Sequence, residues 1–91
     1  MLTIQALKSE LRKFYAIRTI TVSIGEYDGE YDVNVNVWYY DRYYNDMFDC
    51  FLRNTLTDEK KAITLAKRTA TSLKNVHGLT NKVEYVGIEN C

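Results

Sequence analysis

Two runs of alternating apolar and polar residues flank an Asp-Gly pair, and this pattern constrains the fold more than any other feature of the sequence. Residues 20–24 and 31–39 carry aliphatic or aromatic side chains at every second position, as a strand with one buried face requires. Asp28 and Gly29 tolerate the positive φ angles of a two-residue type I′ turn. The sequence therefore predicts an antiparallel β-hairpin from Thr19 to Tyr39.

The turn also fixes the register of this hairpin. If Tyr27 pairs with Glu30, apolar residues meet apolar residues in the pairs Ile24 with Val33, Val22 with Val35, and Ile20 with Val37. A slip of one residue would expose the whole apolar row, so the turn and the pattern predict the same register. The opposite face pairs Ser23 with Asn34, Thr21 with Asn36, and Thr19 with Trp38, and continues to Tyr40.

Apolar residues at three- and four-residue spacing predict one helix before the hairpin and one after it. The first runs from Leu2 to about Tyr15, with Thr3 as its N-cap and a basic polar face. The second runs from Asp58 to Val76, with Thr57 as its N-cap. Gly78 is placed to adopt the left-handed conformation that commonly ends a helix.

The stretch from Asp41 to Leu56 fits two structures. Alternation of apolar residues favours a strand from about Met47 to Arg53, whereas the spacing of Tyr44, Met47, Phe48 and Phe51 also fits a helix. After the second helix, Val83, Tyr85 and Gly87 alternate with Glu84, Val86 and Ile88. This last segment predicts a short strand that inserts beside the main sheet or extends it.

The order of elements is then α-β-β-β-α-β, within a single domain that covers residues 1–91. We expect an α+β fold in which an antiparallel sheet carries both helices on its valine face. The chain has no signal-peptide pattern, no apolar run long enough to span a bilayer, and two widely separated cysteines, Cys50 and Cys91. These features predict a cytoplasmic protein with free thiols and no membrane partner.

The sequence contains no motif for catalysis or metal binding. His77 is the only histidine, and no usual zinc-ligand spacing surrounds it. The carboxylates at 26, 28, 30 and 32 lack the spacing of an EF-hand, and no Gly-rich phosphate loop precedes either helix. We therefore expect no catalytic residue, no metal, no cofactor and no enzyme activity.

Charge is strongly segregated along the chain, although the formal net charge is zero. Residues 25–50 have a net charge of −6, between a stretch of +3 (residues 1–24) and one of +5 (residues 51–82). Most of the aromatic residues share the acidic stretch, and Tyr and Trp are strong contributors to protein interfaces. The predicted partner-binding residues are Glu26, Asp28, Glu30, Asp32, Trp38, Tyr40, Tyr43 and Tyr44.

The second helix offers an alternative site on its basic side. Lys60, Lys67, Arg68 and Lys74 fall opposite its apolar face, and such a row of cations can follow nucleic-acid phosphates.

The order of helix, three-stranded meander and lysine-started helix over residues 2–76 resembles the double-stranded RNA-binding domain, with Lys60-Lys61 as the motif-like match. The alanine directly after Lys61 breaks that family's K-K-x-A-K spacing, and the acidic turn from Glu26 to Glu30 would repel phosphate, so we do not adopt it. In size and style the chain also resembles small accessory proteins of phages and mobile elements, including anti-CRISPR inhibitors. That resemblance implies a protein that binds a partner.

Three functions follow as hypotheses. The leading one is a non-enzymatic binding module whose acidic, Tyr-rich hairpin and following segment, Glu26 to Phe51, bind or inhibit a basic partner protein, for which a nucleic-acid-binding protein is a candidate. The alternative is nucleic-acid binding through the basic face of helix 57–76. The second alternative is homodimerisation through the hairpin face.

Overall fold

The computed structural model describes residues 3–14, 16–40 and 45–90, with the backbone alone for residues 40, 45–55 and 90. The helices and strands in these ranges are α1 (Ile4–Leu11), β1 (Ala16–Tyr27), β2 (Glu30–Tyr40), β3 (Asn45–Leu56), α2 (Glu59–Lys74) and β4 (Val83–Asn90). The α+β class is confirmed, and so is the strand interpretation of residues 47–53.

Strands β1 and β2 form the predicted hairpin in the predicted register, beginning with Tyr27 opposite Glu30 and Ile24 opposite Val33. Asp28 and Gly29 have φ angles of 52° and 79°, as a type I′ turn requires. The valine face is therefore buried as a complete row.

The sheet has the order β3-β2-β1-β4, and β4 runs parallel to β1. The predicted antiparallel sheet is wrong, because the sheet is mixed. Helix α2 carries the chain back along the sheet, so β4 must run in the same direction as β3. Since β1 and β3 are both antiparallel to β2, β4 is parallel to β1 as well.

A bulge in β4 brings Ile88 onto the same face as Val83 and Tyr85. Tyr85 and Gly87 face successive residues of β1, so Val86 is the extra residue. Gly87 has a φ angle of 84°, which is far easier for glycine than for a residue with a Cβ. The simple alternation that the sequence predicts would have placed Gly87 in phase with Tyr85 and Ile88 out of phase.

The core lies between the valine face and the helices. Its buried side chains come from α1 (Leu7, Leu11), the sheet (Ile20, Val22, Ile24, Val33, Val35, Val37, Val83), α2 (Ala62, Ala66, Ala70, Leu73) and the turn after α2 (Leu79). The alanines of α2 allow the helix to approach the sheet closely. Both helices contribute to this one cluster, and the opposite side of the sheet, here called the open face, is covered by neither helix.

The bounds of α2 differ from the prediction at both ends. Asp58, and not Thr57, is the N-cap, and its Oδ1 accepts hydrogen bonds from two backbone N–H groups of the first turn at 2.9 and 3.4 Å. The helix ends at Lys74, and Gly78 has the predicted left-handed conformation within the following turn. Neither helix in the described ranges is long and apolar enough to cross a membrane.

Helix α1 is shorter than predicted and ends at Leu11. Its N-cap is Thr3, as predicted, and the Thr3 Oγ1 accepts a hydrogen bond from the Ala6 N–H at 3.1 Å. Phe14 matches the helical spacing but leaves the helix, and its ring packs on Tyr39 with 4.4 Å between the centroids. Tertiary packing therefore outweighs the helical pattern at this end.

Candidate binding surfaces

The hairpin register divides the four predicted carboxylates among three environments. Glu26 follows Ile24 on the face that the helices cover, and it is half-buried. Asp28 is exposed in the turn, while Glu30 and Asp32 lie on the open face. The structure therefore brings only two of these carboxylates to one face of the sheet.

Glu26 lies near the start of α2, where it shares an environment with Tyr31 and Glu59. The pKa of Tyr31 is raised above its ordinary value of 10.0, first by burial of the side chain and then by the negative charges of Glu26 and Glu59. Glu26 thus helps to keep Tyr31 protonated at the edge of the core.

We expect the raised pKa of Tyr31 to make stability fall in alkaline solution. The unfolded chain releases the Tyr31 proton at a lower pH than the folded chain, so the free energy of unfolding decreases as pH rises through about 10. Denaturant melts at increasing pH should show a shallower decrease for Tyr31→Phe than for the original protein. Equal decreases in the two proteins would contradict this expectation.

Strand β4 adds two carboxylates to the open face. Glu89 lies opposite Gly25, which faces Asp32 on its other side, so the Cα atoms of Asp32 and Glu89 are about 10 Å apart. Glu84 lies opposite Thr21 further along the sheet and is exposed. Glu84 and Glu89 are not among the predicted partner-binding residues, because their positions depend on the pairing of β4 with β1.

Tyr27 is the aromatic side chain that the structure places beside these carboxylates. Its side chain is 73% exposed, and it stands opposite Glu30 at the end of the hairpin. We call the surface formed by Tyr27, Glu30, Asp32, Glu84 and Glu89 the acidic face.

The centre of the acidic face is filled by small polar groups. Ser23 is only 4% exposed although neither helix covers it. A Cβ at Gly25 would lie 3.2 Å from the Asn34 Nδ2, so the Asn34 amide leans over this glycine. The Asn34 Oδ1 is buried and accepts no hydrogen bond from the residues that the structure describes. Such a filled, shallow surface is better suited to a macromolecule than to a small ligand.

Trp38 lies at the other end of the open face from the acidic turn. It is six residues from Asp32 along β2, or about 20 Å. Trp38 is half-buried, and the Arg18 guanidinium lies 5.6 Å from its ring centroid. The structure therefore does not join Trp38 to Glu30 and Asp32 in one patch. The side chain of Tyr40, and all of Tyr43 and Tyr44, lie outside the described residues.

The four cations of the alternative site are all exposed, but they do not form one group. Lys60 and Arg68 line a hollow of about 240 Å³ together with Lys61, Thr64 and Leu65. We call it the α2 hollow.

Lys67 and Lys74 lie away from the α2 hollow. The Lys67 Nζ is 6.0 Å from the ring centroid of Tyr85, on the β4 side of the helix. Lys74 is at the last turn, where its carbonyl accepts a hydrogen bond from the Thr80 Oγ1 at 3.0 Å.

A second, smaller hollow of about 140 Å³ lies where the C-terminal ends of the two helices meet. It is lined by Lys8, Arg12 and His77 over an apolar floor. Each of these cationic or titratable side chains is near the end of a helix, where positive charge is favoured by the helix dipole. Stability of the helices therefore accounts for their positions.

No cluster of three or more potential metal ligands occurs among the described residues. Comparisons with protein-family models, with curated proteins and with solved structures gave no match.

Proposed function

We propose that this protein is a non-enzymatic binding module whose acidic face contacts a basic surface of a partner protein. The observation that carries the proposal is the position of four carboxylates, Glu30, Asp32, Glu84 and Glu89, on the side of the sheet that the helices leave open. They come from two strands that lie on opposite sides of β1, so the negative charge is spread over a surface.

Charge complementarity favours a basic surface as the partner. The acidic face carries four carboxylates, and Arg18 and Trp38 lie about 20 Å from Asp32, toward the end of the open face that holds Glu84. Exposed ion pairs contribute only about 0.2–1 kcal/mol each, so several must form together for useful affinity. Carboxylates on a stiff sheet are held in place before binding, which reduces the entropy lost when the complex forms.

Nucleic-acid-binding proteins are one class of partner with the required chemistry. Their phosphate-binding surfaces are lined with Lys and Arg, and an array of carboxylates can occupy the same surface. Binding of this kind would inhibit the partner by competition with its nucleic acid.

The test measures binding of a fluorescein-labelled peptide of alternating Arg and Ser by fluorescence anisotropy. Glu30→Gln combined with Glu89→Gln should weaken binding roughly fivefold to tenfold at low salt, because two ion pairs are lost. The control combines Glu10→Gln with Glu59→Gln, which changes the net charge equally on the helix side. Equal weakening by both double variants would mean that net charge, and not the acidic face, attracts the peptide.

Homodimerisation through the open face can be tested by measuring the mass of the protein without a partner. Light scattering over a dilution series should give the mass of one chain. A dimer that dissociates when Tyr27 is replaced with alanine would assign the acidic face to self-association and overturn the proposal.

A further inference from the structure

The α2 hollow brings three cations to one side of a single helix. Lys60, Thr64 and Arg68 follow one another at intervals of four residues, and Lys61 stands beside them. Leu65 forms the apolar part of the lining. The Cα atoms of Lys60 and Arg68 are about 12 Å apart along the helix, and both side chains are long enough to reach into the space between them.

Helix stability does not account for these cations. Lys60 and Lys61 occupy the second and third positions of α2, where the positive end of the helix dipole disfavours positive charge. In the part of the chain that the structure describes, neither they nor Arg68 forms an ion pair with a carboxylate. Among the described residues, three positive charges are therefore held close together without a salt bridge.

The backbone N–H groups at the start of the helix are not the binding groups of the α2 hollow. Those of Lys60 and Lys61 donate to the Asp58 Oδ1. An anion in the hollow would instead meet two ammonium groups, the Thr64 hydroxyl and the Arg68 guanidinium. The planar guanidinium can donate two parallel hydrogen bonds to one phosphate group.

We propose that the α2 hollow binds phosphate groups through the side chains of Lys60, Lys61, Thr64 and Arg68. The volume of about 240 Å³ is below that of sites which enclose a whole drug-sized ligand. The site therefore grips phosphate groups and leaves the rest of the ligand outside. This inference is independent of the proposed function, because the acidic face is on the other side of the sheet.

The experiment follows backbone amide chemical shifts of the full chain during titration with sodium tripolyphosphate at low salt. Shifts should concentrate between residues 60 and 68. Lys61→Gln combined with Arg68→Gln should weaken binding at least about tenfold, since two charge-assisted contacts are lost. Lys67→Gln combined with Lys74→Gln removes the same charge from the same helix outside the hollow, and it should change the affinity by less than about twofold.

The matched variants decide whether the hollow is a site. Equal weakening by both double variants, or shifts spread along the whole helix, would overturn the proposal in favour of diffuse attraction. The proposal would also be overturned if the original protein bound neither tripolyphosphate nor a single-stranded oligonucleotide.

A mixed-sequence single-stranded oligonucleotide, titrated separately, distinguishes the two sources of phosphate. Binding of tripolyphosphate alone would assign the hollow to a free polyphosphate. Tighter binding of the oligonucleotide, with the same loss in Lys61→Gln/Arg68→Gln and a steep salt dependence, would assign it to the nucleic-acid backbone.

Discussion

Replacing Leu73 with alanine should lower the free energy of unfolding by about 3 kcal/mol. Leu73 is fully buried between α2 and the valine face, and loss of a buried leucine side chain costs both the transfer energy and the cavity that remains. For a domain of this size the loss corresponds to a decrease in Tm of roughly 10–20 °C. Thermal and urea melts followed by circular dichroism would measure it.

Two control variants separate the effect of burial from that of mutation itself. Leu73→Met nearly conserves the volume and should cost less than about 1.5 kcal/mol. Val86→Ala alters a β4 side chain that is 39% exposed, and it should cost about 0.5 kcal/mol or less. If Leu73→Ala costs no more than Val86→Ala, α2 does not pack on the valine face as described here.

Replacing Tyr27 with alanine should weaken binding to a basic partner surface by roughly tenfold to thirtyfold. Tyr27 is the largest exposed side chain of the acidic face, and a tyrosine that acts as the hot spot of an interface contributes about 2 kcal/mol. Its neighbour across the hairpin is Glu30, so ion pairing and apolar contact would occur at the same place. The measurement is fluorescence anisotropy with the Arg-Ser peptide.

The control for Tyr27 is Tyr27→Phe, which keeps the ring and removes the hydroxyl. It should weaken binding far less than Tyr27→Ala if the ring provides most of the contact. Both variants should keep the original melting temperature within a few degrees, because Tyr27 is 73% exposed. Unchanged binding by Tyr27→Ala would remove Tyr27 from the interface.

The hairpin could be predicted in detail because two independent signals agree. Asp28-Gly29 specifies the turn, and the apolar alternation of the two strands specifies the same register. A local pattern of this kind needs no information from distant parts of the chain. The alternation of side chains along the strands also places Glu26 and Glu30 on opposite faces of the sheet. The division of the acidic residues between two faces was therefore already implicit in the sequence.

The position of β4 could not be predicted from its own residues. Val83–Asn90 contains apolar side chains in both phases, and the bulge at Gly87 exchanges the faces midway. Its direction does follow from the helix before it, but its pairing with β1 depends on how α2 crosses the sheet. The structure was therefore needed to place Glu84 and Glu89 on the acidic face.

The structure divides the predicted basic site, because the positions of its side chains also depend on neighbouring elements. A helical projection places Lys60, Lys67, Arg68 and Lys74 on one broad side. The surroundings of the helix divide that side, because Lys67 turns toward Tyr85 on β4 whereas Lys60 and Arg68 line the α2 hollow with Lys61.

The most direct test of binding at the acidic face is a measurement that locates the bound peptide on the protein. An Arg-Ser peptide with a nitroxide spin label at its centre should broaden the backbone amide signals of Gly25, Asp32 and Glu89, which lie together on the open face. The amides of α2, behind the sheet, should be much less affected. Broadening concentrated on α1 and α2, or spread evenly over the molecule, would contradict the assignment of the acidic face as the binding surface.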